Sequence, residues 1–358
     1  MALDLSSATR QYCSRPPDER FKDWGTFSQY LATRKTDSKV YSGAVNRLRV
    51  SEHDEHGLAL NLGEKAQLPM THFAFGQVAS LASAPAEYLR KLPPLLAREN
   101  LNWGLAHGDD KYDGGDAKLM ATAGYLRAVT STSYGRVWDT EVDKGLRVLN
   151  ERLRNVLAPA PTWDGNVSLF AGDRDAFWCL VDGGSVIEEP GGFGHRPSAL
   201  HRGVMVRNSE TGHAALEFLL FWFRVICGNL IIHDGSIFAS VRLIHRRMVA
   251  ERLAQADTAG MVSNYLNSAT TRDLDIITKA QQFLLPAPKE EQVSWLRQRK
   301  FTAGEAANTI EMARAEEGDS RTLWQVVQGG TALARSMPYA EDQADLSRRV
   351  TSLLKLAA

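Results

Sequence analysis

The chain holds little that would commit it to one chemistry. Among 358 residues there are only three cysteines, Cys13, Cys179 and Cys227. An odd number at wide spacing excludes a disulfide framework and fits a reducing cytosol. Neither sign of charge prevails, with 42 basic and 42 acidic residues. Overall electrostatics therefore draws the chain to neither nucleic acid nor membrane, and any such partner has to use a local patch. The longest apolar stretch, residues 214 to 232, carries Glu217 and Arg224 inside it, and two charges within about 20 residues exclude an ordinary bilayer span. The first residues, "MALDLSSATRQYCSRPPDER", lack a basic region followed by an apolar one and do not read as a signal peptide. A cytoplasmic protein without a membrane partner is expected.

Catalytic and cofactor motifs are missing too. No Gly-x-x-x-x-Gly-Lys-Ser/Thr occurs, and "PGGFGH" does not stand between a strand and a helix as a phosphate cradle requires. Gly-x-Ser-x-Gly is absent, and Cys227 follows bulky apolar residues, where a cysteine acts as a small hydrophobe. His53 and His56 flank Asp54 and Glu55 in an exposed-looking turn, and His195 and His201 flank a Gly/Pro loop; neither pair belongs to a Cys-x-x-Cys or His-Glu-x-x-His pattern. No metal and no cofactor is expected, and no catalytic residue can be assigned.

What is there is a change of pattern along the chain. Residues 1 to 39 are polar and Pro-broken, an N-terminal arm with one amphipathic piece at "FSQYLATR". Residues 40 to 70 alternate as two short strands about the turn "SEHDEHG". Thr71 is a helix N-cap candidate, and Pro85 and Pro93–Pro94 can each open a further short helix. "LRAVTSTSYGRVWD" is a strand leading to a Ser/Thr turn, and 140 to 157 spaces its apolar residues as an amphipathic helix. "NVSLFAGDRDAFWCLVDGG" reads as a hairpin turning at "GDRD", and further strands are expected over 203 to 208 and about 214 to 220. From 237 onward the spacing is helical. The sum is an α+β fold: an antiparallel sheet with packed helices over 40 to 285, then a helical C-terminal region, 286 to 358.

Local charge is the main functional cue. Residues 195 to 255 hold eight Arg, no Lys and four acidic residues, a local +4, with five of the nine His. "VRLIHRRMVAERL" places Arg242, His245 and Arg246 on one broad helix face, and a guanidinium fork suits phosphate oxygens. Arg127, Tyr134, Arg136 and Trp138 add the mixture of cation and aromatic that follows a single strand. Between two greasy segments lies the knot "GVMVRNSETGH". A turn explains Asn208, Ser209 and Gly212; Arg207, Glu210 and His213 are surplus to it. Arg224, a lone cation in an apolar run, needs a carboxylate such as Glu217 or Glu210.

The blocks "PAEYLRKLPPLLARENLN", "LRAVTSTSYGRVWDTEVDKGL", "GVMVRNSETGHAALE", "RVICGN" and "TLWQVVQGGTALAR" occur in this order, and over most of residues 60 to 350 the chain resembles a phage- and plasmid-borne family that carries only a domain-of-unknown-function label. Ser131, Tyr134, Ser209, Gly212, Arg224, Cys227 and Asn229 keep its pattern, while Phe221-Trp222-Phe223 stand where the family often has a Pro-containing step. The resemblance implies a mobile-element protein associated with DNA metabolism and no particular reaction. Together these cues favour a DNA-binding accessory protein acting on single-stranded DNA in recombination or replication. Arg127, Tyr134, Arg136, Trp138, Arg207, Asn208, Arg242 and Arg246 form its candidate nucleic-acid surface, and a second copy of the chain is a further candidate partner. Two alternatives stand beside it: a hydrolase with a pocket at Glu210, His213 and Arg224, and a host-interaction protein acting through its C-terminal helices.

Overall fold

The structure is a computed structural model and describes residues 10–63, 66–107, 115–162, 164–190, 198–233, 238–245 and 258–357. The chain opens with β1 (Glu19–Phe21), α1 (Trp24–Thr36) and β2 (Ser38–Ala44), followed by β3 (Arg49–His53), β4 (Gly57–Asn61) and β5 (Gln67–Pro69). The turn "SEHDEHG" joins β3 to β4 as the alternation predicts. Three helices come next, α2 (His72–Leu81), α3 (Ala86–Lys91) and α4 (Pro94–His107). Thr71 caps α2 by accepting from the Ala74 N–H, and Pro85 and Pro94 open the other two. After β6 (Asp116–Thr122) and β7 (Tyr125–Ser131), α5 spans Asp139–Arg152. It stops short of residue 157 because Arg154 and Asn155 both turn into the left-handed region at φ 60°.

Of these elements, β2 to β7 and α2 to α4 build a smaller body with its own core. Two three-stranded antiparallel sheets, β2-β6-β7 and β3-β4-β5, touch through a bridge between Met70 and Leu126. Leu58, Leu60, Phe75, Val78, Leu101 and Leu126 fill the space between sheets and helices.

The larger body rests on an eight-stranded sheet. It adds β8 (Leu157–Pro159), β9 (Val167–Ala171), β10 (Ala176–Glu188), β11 (Ala199–Asn208), β12 (Leu216–Arg224), β13 (Asn229–Ile232) and β14 (Ser240–Leu243). The order is β1-β9-β10-β11-β12-β13, with β8 on β10 and β14 on β12, and every pairing is antiparallel. β9 and β10 are the expected hairpin, turning through "GDRD". Alternate residues point to opposite faces, so Trp178, Leu180, Leu220 and Trp222 enter one core and Phe177, Cys179, Phe221 and Phe223 another. Both faces are covered, which is why "LEFLLFWFR" is apolar at nearly every position although its sheet is antiparallel. Burying each Phe-sized side chain contributes roughly 3 kcal/mol.

Among the described residues six α-helices follow: α6 (Thr258–Asn267), α7 (Thr271–Gln282), α8 (Lys289–Arg297), α9 (Ala303–Glu317), α10 (Leu323–Arg335) and α11 (Ala340–Thr351). Thr302 and Thr322 cap α9 and α10, with Glu305 and Gln325 reciprocating in capping boxes. Helices α6 to α10 join the core of the first face, while Ala340 and Ala344 of α11 lie on the second. The C-terminal helices pack against the sheet: α10 is buried from Leu323 through Ala332. One expectation changes locally. The helical reading from 237 onward fails at β14, where Ser240–Leu243 pair with Leu216–Leu219 of β12. Arg242 thus sits in an edge strand and not on a helix face, and Arg246 lies outside the described residues. Among the described residues no helix is long and apolar enough to cross a membrane.

Candidate nucleic-acid interface

The knot is interior. Asn208, Ser209, Glu210 and Thr211 are all buried, and Gly212 turns the chain at φ 88°, where an added Cβ would meet Thr130 and Tyr134. Two of the residues expected to hold phosphate are spent on this interior. The Arg127 guanidinium donates to Glu210 Oε2 at 2.5 Å, and Arg207 donates to Asp175 Oδ2 at 2.6 and 2.9 Å and to Glu341 Oε1 at 3.2 Å. Asn208 donates to the Val137 carbonyl and to Asp139 Oδ1. Buried, paired and without access to solvent, Arg127, Arg207 and Asn208 do not line an open groove. That part of the expected surface is corrected to an internal network.

The network has a simple logic. Asp139 begins α5, accepts from Arg34 at 2.5 Å, and gives its N–H to Glu210 Oε1. Burial and the adjacent Glu210 charge push Asp139 up to about 7. Burial also opposes the charge on Glu210, yet Arg127 and Arg34 outweigh it and hold that carboxyl down at about 2. Removing either partner from such a pair strands a buried charge, which is what makes the knot a structural joint between the two bodies.

What remains outside is narrower. Tyr134 gives its hydroxyl to the Ser209 carbonyl at 2.7 Å, so its ring is placed by the knot. Arg136 donates to the Glu210 carbonyl and lies against both Tyr134 and Trp138, 5.7 and 5.6 Å from the ring centres. Trp138, half-buried ahead of α5, also has Lys35 Nζ 5.2 Å from its ring, and its N–H donates to Glu141. Lys118 reaches the Tyr134 carbonyl at 3.3 Å. From the other side His245 Nδ1 lies 3.1 Å from the Gly135 carbonyl and its ring 5.2 Å from that of Tyr134. The chain just after β14 therefore meets the 134–138 segment at His245, three residues beyond Arg242. The Arg242 side chain is 63% exposed and paired with Glu217. Of the expected surface, Tyr134, Arg136 and Trp138 come together; Lys35 and Lys118 join them from α1 and β6, with no sequence neighbour to announce them, while Arg242 turns to Glu217.

The alternative pocket does not form. Arg224 pairs with Leu200 at the start of β11, whereas Glu210 lies beyond its end, so ten strand residues place them ~30 Å apart. Arg224 is bound by Glu189 and Glu317 and not by Glu217, which points to the opposite sheet face seven residues earlier. His213 instead meets Glu341, where Arg15 and Arg174 also converge. Ligand atoms of Asp175, His213 and Glu341 lie within 4.8 Å of one another. The Arg207 guanidinium already binds both carboxylates there, supplying the positive charge that an ion would bring, so the geometry is that of an ion-paired latch between β11 and α11. His53 packs on His56 at the β3–β4 turn, and His56 meets Tyr125 edge-on, while His201 meets the Asp182 carbonyl; among the described residues none of these histidines joins a three-ligand group. His195 lies outside the described residues. Cys227 is partly exposed in the turn between β12 and β13 rather than a core hydrophobe. No protein-family model matches the chain, and no curated protein or solved structure does.

Proposed function

We propose that this protein binds single-stranded nucleic acid along the surface made by Lys35, Lys118, Tyr134, Arg136 and Trp138, with Arg242 as an outlying phosphate contact, as an accessory factor in the recombination or replication of a mobile element. The observation that carries the reading is the contact of His245 with Tyr134 and Gly135, which brings the end of an Arg-bearing strand to a basic, aromatic segment more than a hundred residues away. Trp138 offers a partly exposed indole flanked by two cations, the arrangement on which a base stacks while phosphates are neutralised alongside. The mobile-element assignment rests on the family resemblance of the sequence blocks.

Fluorescence anisotropy of a labelled single-stranded oligonucleotide tests this directly. Binding is expected at ~50 mM salt and should weaken steeply as salt rises, because each neutralised phosphate releases counterions. A flat titration at the low salt concentration ends the proposal.

A further inference from the structure

The second face of the large sheet is incompletely filled. Phe170, Phe177, Cys179, Met205, Leu230 and Ile232 form its floor, and α10 and α11 form the roof, enclosing a cavity of about 260 Å³. The cavity exists because the roof is short. Of the seven helix residues that line it, Ala334, Ala340, Ala344 and Ser347 reach no further than a hydroxymethyl group, with Thr331, Arg335 and Gln343 completing the roof. Elsewhere the same sheet is packed by Leu, Ile and Trp, so a helix built only to cover this face would carry larger side chains at these positions.

The walls state what fits. Two phenyl rings and a methionine sulfur suit a flat aromatic body, and burial pushes the Cys179 thiol up to about 12, leaving it an uncharged wall. Charges at the mouth are already neutralised: Arg20 pairs with Asp164 at 2.5 Å, and Arg335 with Glu316 at 2.6 Å. A charged ligand would find no unspent partner there. Gln343 also lines the cavity; one N–H of its amide is spent on the Met337 carbonyl, and its carbonyl oxygen is an acceptor for a ligand donor. The volume suits one or two fused rings, since an apolar cavity of roughly 150 Å³ holds benzene.

We propose that this cavity between the sheet and α10–α11 is a binding site for a small, uncharged aromatic molecule carrying one N–H or O–H donor. The site is independent of the nucleic-acid surface: none of its lining residues belongs to the 134–138 segment or to β14.

Indole serves as the probe on the full chain labelled with ¹³C-methyl methionine, the Met205 signal being assigned through Met205→Leu. Titration should shift the Met205 methyl saturably, and benzoate, flat but charged, should bind at least ~10-fold more weakly because its charge would be desolvated without a partner. Ala344→Phe, which fills the cavity from α11, should abolish the shift. A Met205 signal unmoved up to the solubility of indole overturns the proposal, as does undiminished binding to a folded Ala344→Phe variant. Should that variant not fold, the wild-type comparison still decides, since benzoate binding as tightly as indole refutes the uncharged class.

Discussion

Two sets of arginines in this chain look alike in sequence and differ in use. Arg127, Arg202, Arg207 and Arg224 stand on strands of covered sheets, and each meets a carboxylate from a distant element: Glu210, Asp273, Asp175 and Glu317. Arg136 and Arg242 stand at the margin, beside aromatic rings or solvent. The first set stitches helices and knot to the sheets; the second leaves Arg136 against two aromatic rings and Arg242 mostly exposed even though it too meets a carboxylate, Glu217. A local excess of positive charge along the sequence therefore says little until strand parity and the neighbouring layer have assigned each guanidinium a side.

The sharpest way to break this contrast is to cut an interior pair. Arg224→Ala leaves Glu189 and Glu317 facing each other without a cation and should cost about 3–5 kcal/mol, read by chemical denaturation. An effect below about 1 kcal/mol would mean that the interior arginines are as dispensable as surface ones.

Next in size is a pH effect at the same pair. Burial, with the nearby Glu317 charge and against the pull of Arg224, pushes Glu189 up to about 7. A carboxyl whose folded value is raised binds its proton more tightly when folded, so its contribution is fully present below about pH 4.5 and is lost as pH rises toward 7. Glu189→Gln, neutral throughout, should thus gain stability relative to wild type across that interval and level off above pH 7. The gain should be roughly 2 kcal/mol in total after allowance for residual solvent. Thermal denaturation at stepped pH checks the sign, and a difference independent of pH would contradict it.

At the margin the expected changes are in binding and not in folding. Trp138→Ala should weaken single-strand binding by about 1–3 kcal/mol, the worth of one stacked base, measured by anisotropy. Arg242→Ala should be the mildest, within roughly 0.5 kcal/mol of wild-type stability. It should reduce the salt slope of binding by about 0.7, one phosphate contact on a single strand. If Arg127→Ala changed that slope while leaving stability alone, the division between the two sets would collapse.

Much of the architecture was legible because it is local. Thr71, Pro85 and Pro94 announce helix starts through their own side chains, and the "SEHDEHG" and "GDRD" turns announce hairpins through adjacent residues. Where periodicity is too short to discriminate, the reading slipped: four residues, "SVRL", look helical beside a basic run, yet the exposed edge of β12 recruits them as a strand. The surface shows the same division. Tyr134, Arg136 and Trp138 lie within five residues and were visible together, whereas Lys35 and Lys118 reach the site through α1 and β6.

By itself the sequence determined an antiparallel α+β body with helices after it, and the positions of its caps and turns. These depend on alternation and on the hydrogen-bonding of neighbouring residues, both written within a few positions. Only the tertiary structure decided which arginines are buried against a carboxylate and which stay exposed, and that α11 would leave a cavity over Met205. Such outcomes depend on which distant segments meet, and a charge or a small side chain carries no record of its partner along the chain.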